Sequence, residues 1–553
     1  MALFTFLLTS ISPLLAAFPM DVSGPMLYAI HRGEAERGFE SYLSHAKECQ
    51  TQDFALLQQA AKALLEQGID SKDPEILLMC MFGAGVATST EMLPILEKGL
   101  RCDDLRTQLI ALSYLGKLQD DEADRILLDS LSSPFVIVRL EALLQLAKRN
   151  YPTTMSHLQS LMIKVPPPIR TVFSQIAIHV EGADATRFLR QLLSDPDVDV
   201  RIETILTVAD GGRDDFLPTL RMLAQGASYA QQESCALAFG VLKDHLSLGK
   251  LKNFAESKQE AVRLAACKSL YELGEMSYLA AIESEAKGGS LLAISILGTL
   301  EEGKETLAQL ISHSERDVRL NAVLALLIQR DRRALAHVEE ILLEDARDTG
   351  FWRITSASGG LKAWKTLPSA SQQDKHYPGI VGKTLGLREQ VLVQCLEFEE
   401  DDFLNLARKI CQKRQNNLIP IVIELLQNKK SDSVIQFLKE GYQKAGAPLM
   451  RNYCTLALYR LKEEGPYEEQ LIAWVKARGS EELIRFKEEK DAPAFCDPHN
   501  LTPEETSRFL IEACEALASA QNPAGTCALI HTIAHGNAKN RYALAGLLMR
   551  TTE

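Results

Sequence analysis

Cys527, His531 and His535 stand at four-residue steps near the end of a 553-residue chain. On a helix that spacing puts all three on one face. Thiolate and imidazole are the donors zinc prefers. Cys514 lies on the preceding predicted helix, and Cys496 and His499 stand just upstream. Residues 496–535 therefore hold three of the eleven cysteines and three of the eleven histidines. Two features weigh against a metal. The row spans about 12 Å along a helix axis, so one ion reaches neighbours in the row and not all three. The stretch HTIAH (531–535) also lacks the Glu that serves a metalloprotease helix as general base. The expectation is no required metal and no cofactor, with Cys527, His531 and His535 the weak candidates.

The remaining residues offer little catalytic chemistry. The sequence has no Gly-x-Ser-x-Gly turn, and it names no triad and no carboxylate pair that geometry would bring together. Ser356 and Ser358 flank Gly359 without a particular His or acid assigned to them. Gly83-Ala84-Gly85 reads as a helix–helix turn with no strand before it, so it is not a nucleotide loop. The acidic run 397–402 lacks the Gly and alternating spacing of a calcium loop. An enzyme is therefore not the leading expectation. Sixty basic and 73 acidic residues give a net charge of −13, whereas a nucleic-acid binder shows a basic face. The one dense basic patch, Arg408, Lys409, Lys413 and Arg414, follows the acidic run and reads as a solvated helix face. An odd number of irregularly spaced cysteines is no disulfide framework. Cys235, Cys267 and Cys454 sit in Ala/Leu-rich runs, where Cys behaves as a small apolar residue.

The elements that carry these residues repeat. Arg106, Arg139, Arg170, Arg201, Arg263 and Arg319 each follow an aliphatic residue and lead into an apolar helical run. Their spacings are 33, 31, 31, 62 and 56 residues, the last two being double steps with degenerate copies near Gln232 and Ser290. A fixed period of this size marks an array of one small unit. A Ser or Asp opens each copy (Ser194 or Asp195, Ser257, Ser314), a residue type suited to capping a helix start. Val318, Ala322, Ala325 and Leu326 then show the helical three- and four-residue steps. A more variable helix precedes each copy, as at 186–193 and 305–312. The unit is two antiparallel helices that must stack to bury their stripes. The arginine falls in the first turn of the second helix, where the dipole disfavours a cation. Asp104, Asp199 and Asp317, each two residues earlier, are the expected partners in the same or the adjacent repeat. Stacked Asp–Arg pairs would form a ladder, interrupted where Ile137, Pro168 and Ala261 fill the slot.

The Asp-Val-Arg pattern followed by an Ala/Leu-rich helix resembles the HEAT repeat family, especially the short bacterial repeats of the phycobilisome-lyase type. The resemblance covers roughly residues 85–345, and residues 447–461 read as a further copy with Arg451 in the arginine slot. It implies an all-α solenoid, a right-handed superhelix of antiparallel helix pairs. It leaves function open, because such repeats serve scaffolds, lyases and nucleic-acid enzymes alike. The leading expectation is a non-catalytic scaffold or adaptor whose inner helices grip a protein partner. The alternatives are a phycobilin-lyase-like enzyme or chaperone and, disfavoured by charge, a nucleic-acid-binding protein.

Along the chain, residues 2–17 are apolar and uncharged and resemble a secretory signal peptide. That implies export to the periplasm or cell envelope. Absence of a leading Lys or Arg, Leu15 near the cleavage point and the helical cysteines favour the alternative, an apolar first helix in a cytoplasmic protein. Apart from this segment no transmembrane span is expected. Residues 18–100 read as an N-terminal helical cap, 101–349 as the regular array and 350–386 as an irregular insertion. Residues 387–490 read as divergent helical repeats, and 491–553 as a C-terminal helical hairpin cap that turns at Gln521-Asn522-Pro523. The insertion carries Trp352 and Trp364, which are candidate partner-binding anchors.

Overall fold

The computed structural model describes residues 22–49, 52–226, 228–344, 349–368, 380–444, 446–479, 484, 503–519 and 522–550. The apolar segment 2–17, Cys496, His499 and the linker around 491–500 lie outside them. The chain divides into two compact units. A central unit comprises Leu100–Leu471 with Ile484–Phe509, and a terminal unit comprises Met1–Gly99, Ile472–Leu483 and Leu510–Glu553.

The central unit is a stack of helix pairs, an all-α HEAT-like solenoid. Its second helices begin at Leu105, Val136, Pro167, Val198, Tyr229, Glu260, Leu291 and Arg316, in steps of 31 residues until a final step of 25. The double steps in the arginine series are thus filled by Tyr229–Val241 and Leu291–Leu297. Val198–Asp210, for example, packs on its own first helix Ala183–Leu193 and on the next second helix Tyr229–Val241. The residues buried there are the apolar stripe, for example Val200, Ile205, Val208 and Ala209.

The arginine at the start of each second helix closes the turn behind it. Arg201 donates to the carbonyls of Asp195 and Pro196 at 2.6 and 3.0 Å. Arg263 donates to Ser257 O at 2.8 Å, and Arg319 to His313 O and Ser314 O at 2.8 and 3.0 Å. Those carbonyls lie just past the first helix, where no amide of that helix can reach them. The other edge of the guanidinium turns to a later residue. Arg170 makes a bidentate pair with Asp195 at 3.0 Å, Arg201 meets Gln231 at 2.8 Å, Arg263 meets Glu285 at 2.7 Å, and Arg319 meets Glu340 at 3.6 Å.

At Arg201 and Arg319 the expected Asp partners are therefore replaced by later residues, at Arg319 by an acid of the next repeat, the expected alternative to Asp317. Asp104 does meet Arg106, at 3.4 Å, and also caps its helix through Thr107 N. Those contacts hold its carboxyl below the usual range against the opposing effect of burial. Asp199 is exposed and is not a partner of Arg201, and Asp317 faces elsewhere, as described below. Residues two apart on a helix do not share a face, so a partner from a later helix wins. The Nε of Arg139 is buried without a hydrogen-bond partner. The residues expected as caps also shift. Asp197 caps Val198–Asp210, while Asp195 and Ser257 accept amides of the preceding turn.

Five of these eight second helices, and helix Pro448–Arg460, share one closure at the far end. Asn150, Gly212, Lys243, Gly274, Arg330 and Lys462 all have positive φ. Each stands eleven residues after an arginine slot (Arg139, Arg201, Gln232, Arg263, Arg319, Arg451). At Lys243 the amide bonds Gly240 O at 3.1 Å, and the next amide bonds Phe239 O at 2.9 Å. The other five repeat this pair of bonds, the Schellman closure. Helix Pro448–Arg460 ends the same way at Lys462, so the copy at 447–461 shares the device.

In the terminal unit, the two ends of the chain pack on each other. Helix Asn540–Arg550 lies on Phe54–Ile69 and Pro74–Val86, and Pro523–His535 lies on Ala35–Cys49. The two terminal segments expected as separate caps thus share one core. Gly83 and Gly546 mark the crossing, since a Cβ on Gly546 would stand 2.0 Å from Gly83 O. Gly83-Ala84-Gly85 is accordingly not a turn but the inside of helix Pro74–Val86. Its glycines serve backbone approach. Lys539 adds an ion pair to Asp73 at 2.9 Å, and Arg550 one to Glu515 at 2.7 Å.

Most of the left-handed closing residues are not glycine, which stores strain in the array. Arg414 closes helix Glu400–Gln412 in the same way with φ 55° and is exposed. A non-glycine residue there costs about 1–2 kcal/mol, partly offset by the lower unfolded-state entropy of Arg relative to Gly. Arg414→Gly is expected to raise unfolding stability by about 0.5–1 kcal/mol in urea titrations followed by circular dichroism. An unchanged or lower stability would show that the closure carries no strain.

Candidate functional site

The insertion that reads as irregular in the sequence carries an antiparallel β-hairpin over residues 349–368, and residues 369–379 lie outside the described residues. Strand β1 is Thr349–Thr355 and strand β2 is Lys362–Pro368, with Thr349 opposite Pro368 and Thr355 opposite Lys362. Short alternating runs on either side of Ser356–Gly360 form it. Ser356 N bonds Leu361 O at 2.9 Å, and Gly359 takes the left-handed conformation at φ 74°. An isolated two-stranded hairpin is marginal in water. Here side chains of the helices complete it.

Helix Arg316–Ile328 supplies the partner for β2. Asn321 donates to Trp364 O at 2.7 Å and accepts from Trp364 N at 2.8 Å, as a neighbouring strand would. Asp317 accepts from Thr366 N at 2.7 Å and from the Thr366 hydroxyl. On the other side, Thr384 of helix Ile380–Cys395 accepts from Phe351 N at 2.9 Å. At the tip, the buried Glu233 accepts from the Ser356 hydroxyl and, at 3.3 Å, from Ser358 N. A side chain on Gly360 would run into Leu237. The hairpin thus lies along the second-helix face, from Arg316–Ile328 back to Tyr229–Val241. Arg388 is fully buried and donates to Ile341 O at 2.8 Å and to Glu344 O, which fixes the helix beneath β1. Glu233, Asn321, Thr384 and Arg388 carry no periodic signal and were not legible as site residues. Asp317 was legible, with a different partner.

The two tryptophans do not form one anchor. Trp352 pairs in register with Lys365, and Trp364 with Arg353, so the pleat sends them to opposite faces. Trp352 is half-buried and lies under Lys383, whose Nζ is 3.5 Å from the ring centroid. Arg353, Lys362, Lys365 and Lys383 are exposed on a chain of net charge −13, with Arg353 and Lys362 on one face of the hairpin and Lys365 on the other with Trp352. By contrast, the patch at 408–414 is partly neutralised through Lys409 and Glu339. The acidic run 397–402 clasps arginines, with Arg330 on Glu397 at 2.9 Å and Arg332 on Asp402 at 2.9 Å.

In the terminal unit, the Cys527–His535 row is divided by what faces it. Cys527 accepts from Gln52 Nε2 at 3.1 Å, beside Tyr42, whose hydroxyl burial pushes up to about 12. His535 faces two carboxylates, with Nδ1 3.6 Å from Glu36 and Nε2 3.7 Å from Glu40. His531 lies beside it, ring centroids 4.6 Å apart and the rings tilted by 54°. Burial, then the neighbouring His535 and Lys476, lower the pKa of His531. Cys527 and His535 therefore do not converge. Cys235, Cys267 and Cys454 are buried, as the helical runs implied. Burial raises all three thiols, Cys235 to about 12 and Cys267 to about 11, which removes the thiolate that reactivity needs.

No protein-family model and no curated protein sequence matches the chain. Among solved structures it is similar to the complex of CpcE and CpcF of phycocyanin lyase from Nostoc, at 18% identity and a TM-score of 0.26, covering 44% of this chain and 91% of that one. It is similar to UNC-45 from Drosophila melanogaster at 12% identity and a TM-score of 0.29, covering 95% and 81%. A karyopherin bound to the extreme C-terminus of a protein phosphatase gives 11% identity and a TM-score of 0.30, covering 94% and 64%. Likeness this weak carries no functional argument; the stacked helix pairs themselves show the HEAT-like α-solenoid.

Asn321 is the test of how the hairpin is held. Asn321→Leu keeps the volume but strands a backbone N–H and a carbonyl of Trp364, at a cost of about 1–3 kcal/mol. The amides of Trp364 and Thr366 are expected to exchange at least about tenfold faster, with helix Arg316–Ile328 still protected. Unchanged exchange at both amides would show that the hairpin stands without this side chain.

Proposed function

We propose that the chain is a non-catalytic protein-interaction scaffold, and that its partner surface is the second-helix face together with the hairpin seated on it. One observation carries the reading. Side chains of the second helices already hold an extended polypeptide by its backbone, through Asn321, Asp317 and Glu233. Backbone hydrogen bonds supply affinity in such recognition, and side-chain contacts supply selectivity. The exposed basic residues of the hairpin, Arg353 and Lys362 on one face and Lys365 with the nearby Lys383 on the other, fit an acidic protein segment. The export expectation belongs to this proposal too, with the cell envelope as the place of action. Among the described residues no helix is long and apolar enough to cross a membrane.

Affinity capture from the native cell with the full chain, read by mass spectrometry, tests it. A partner recovered in stoichiometric amount is expected, and it is lost when Arg353, Lys362 and Lys365 are all changed to Glu. These residues are exposed, so the fold should be unaffected. Intact mass of the native protein shows in the same sample whether residues 1–17 are removed. The same captured set from wild type and variant would refute the assigned surface. Covalent colour transfer from a linear tetrapyrrole to an acceptor protein would refute the non-catalytic reading.

A further inference from the structure

Ligands from the two ends of the chain meet on one exposed face of the terminal unit. Glu36 and Glu40 are one helical turn apart on Ala35–Cys49, and His535 ends the facing helix Pro523–His535. One donor atom from each of the three lies within 4.8 Å of the other two. The imidazole sits between the carboxylates, Nδ1 3.6 Å from Glu36 and Nε2 3.7 Å from Glu40, so the ring must turn to bring one nitrogen toward both. Zinc held by oxygen and nitrogen at roughly 2.0–2.2 Å keeps its ligands roughly 3.3–3.6 Å apart in a tetrahedron. Small rotations of exposed side chains would close the set. None of the three is locked in the core, their side chains being 63%, 52% and 33% exposed.

From this geometry we infer a divalent transition-metal site, zinc in class, formed by Glu36, Glu40 and His535. Imidazole with two carboxylates suits zinc, nickel or cobalt, and it lacks the oxygen count calcium requires. Three protein ligands leave one position for water. His531 is a neighbour and not a member, since the donor atoms that lie within 4.8 Å of one another are those of Glu36, Glu40 and His535. The sequence row pointed to His535 but could not supply its partners, which stand about 500 residues away. A bound ion would tie helix Ala35–Cys49 to Pro523–His535 and so clamp the two chain ends together.

The test uses the full chain stripped of metal and titrated with cobalt(II), then zinc(II). One equivalent of cobalt is expected, with visible ligand-field bands, no thiolate charge-transfer band, and displacement by zinc. Glu40→Gln and His535→Gln should each weaken binding at least tenfold, while His531→Gln should change it less. Glu36→Gln, at an exposed position, provides a second carboxylate variant should His535→Gln fail to fold. Zinc should slow amide exchange in both 35–49 and 523–535. A thiolate charge-transfer band, or equal affinity in the carboxylate and histidine variants, would overturn the site. Absence of binding would leave a plain histidine–carboxylate contact in its place and would also overturn it.

Discussion

The array in the central unit is built around a second helix closed at both ends by the chain itself. At its start an arginine bonds the carbonyls left over from the first helix. Eleven residues later a left-handed residue folds the chain back and satisfies the last carbonyls. Where both closures are present they bound the helix, while the step of 31 residues holds also between copies that lack the far closure. The same guanidinium then reaches a residue of a later helix, so one side chain sets both the turn and the stacking. A cation in the first helical turn opposes the helix dipole. The carbonyls around it, which are partial negative charges, offset that cost.

A regular face of second helices is a surface on which something extended can lie. In this chain the hairpin Thr349–Pro368 lies there, and both of its outer edges are covered by side chains. An uncovered strand edge invites pairing with other chains. Asn321 prevents this by offering a donor and an acceptor in the positions of a neighbouring strand. The array thus displays a basic, twisted ribbon on an acidic body, and it shows in cis the type of backbone contact that the proposed scaffold role needs in trans. The terminal unit follows a different rule. Its helices approach through glycine at the Gly83–Gly546 crossing, and it unites segments that are remote in sequence.

The array was legible because one residue type, Arg, recurs at a fixed place beside a helical stripe. The partners of those arginines were less legible. They stand 21 to 30 residues on, as Glu340 does for Arg319 and Gln231 for Arg201, and they vary in type. The closing residues escaped notice because only Gly212 and Gly274 among the six carry the usual glycine signal. The hairpin was missed since Gly359-Gly360 and Pro368 read as irregular chain, while the alternation in FWRIT and KAWKT spans only five residues each. Its seat, Glu233 and Asn321, resembles any buried polar pair on an Ala/Leu-rich helix. The pairing of Glu36 and Glu40 with His535 arises from the meeting of the chain ends, which no local pattern encodes.

The central claim is that side chains of the second helices recognise extended polypeptide. Supplying the hairpin in trans tests it most directly. Residues 349–368 are replaced by a flexible linker, and a cyclised peptide of that segment is titrated onto the remaining chain by calorimetry. Saturable binding at one site, abolished by Asn321→Ala with Asp317→Ala, is the predicted result. A peptide that does not bind, or that binds equally well to the double variant, would contradict the account.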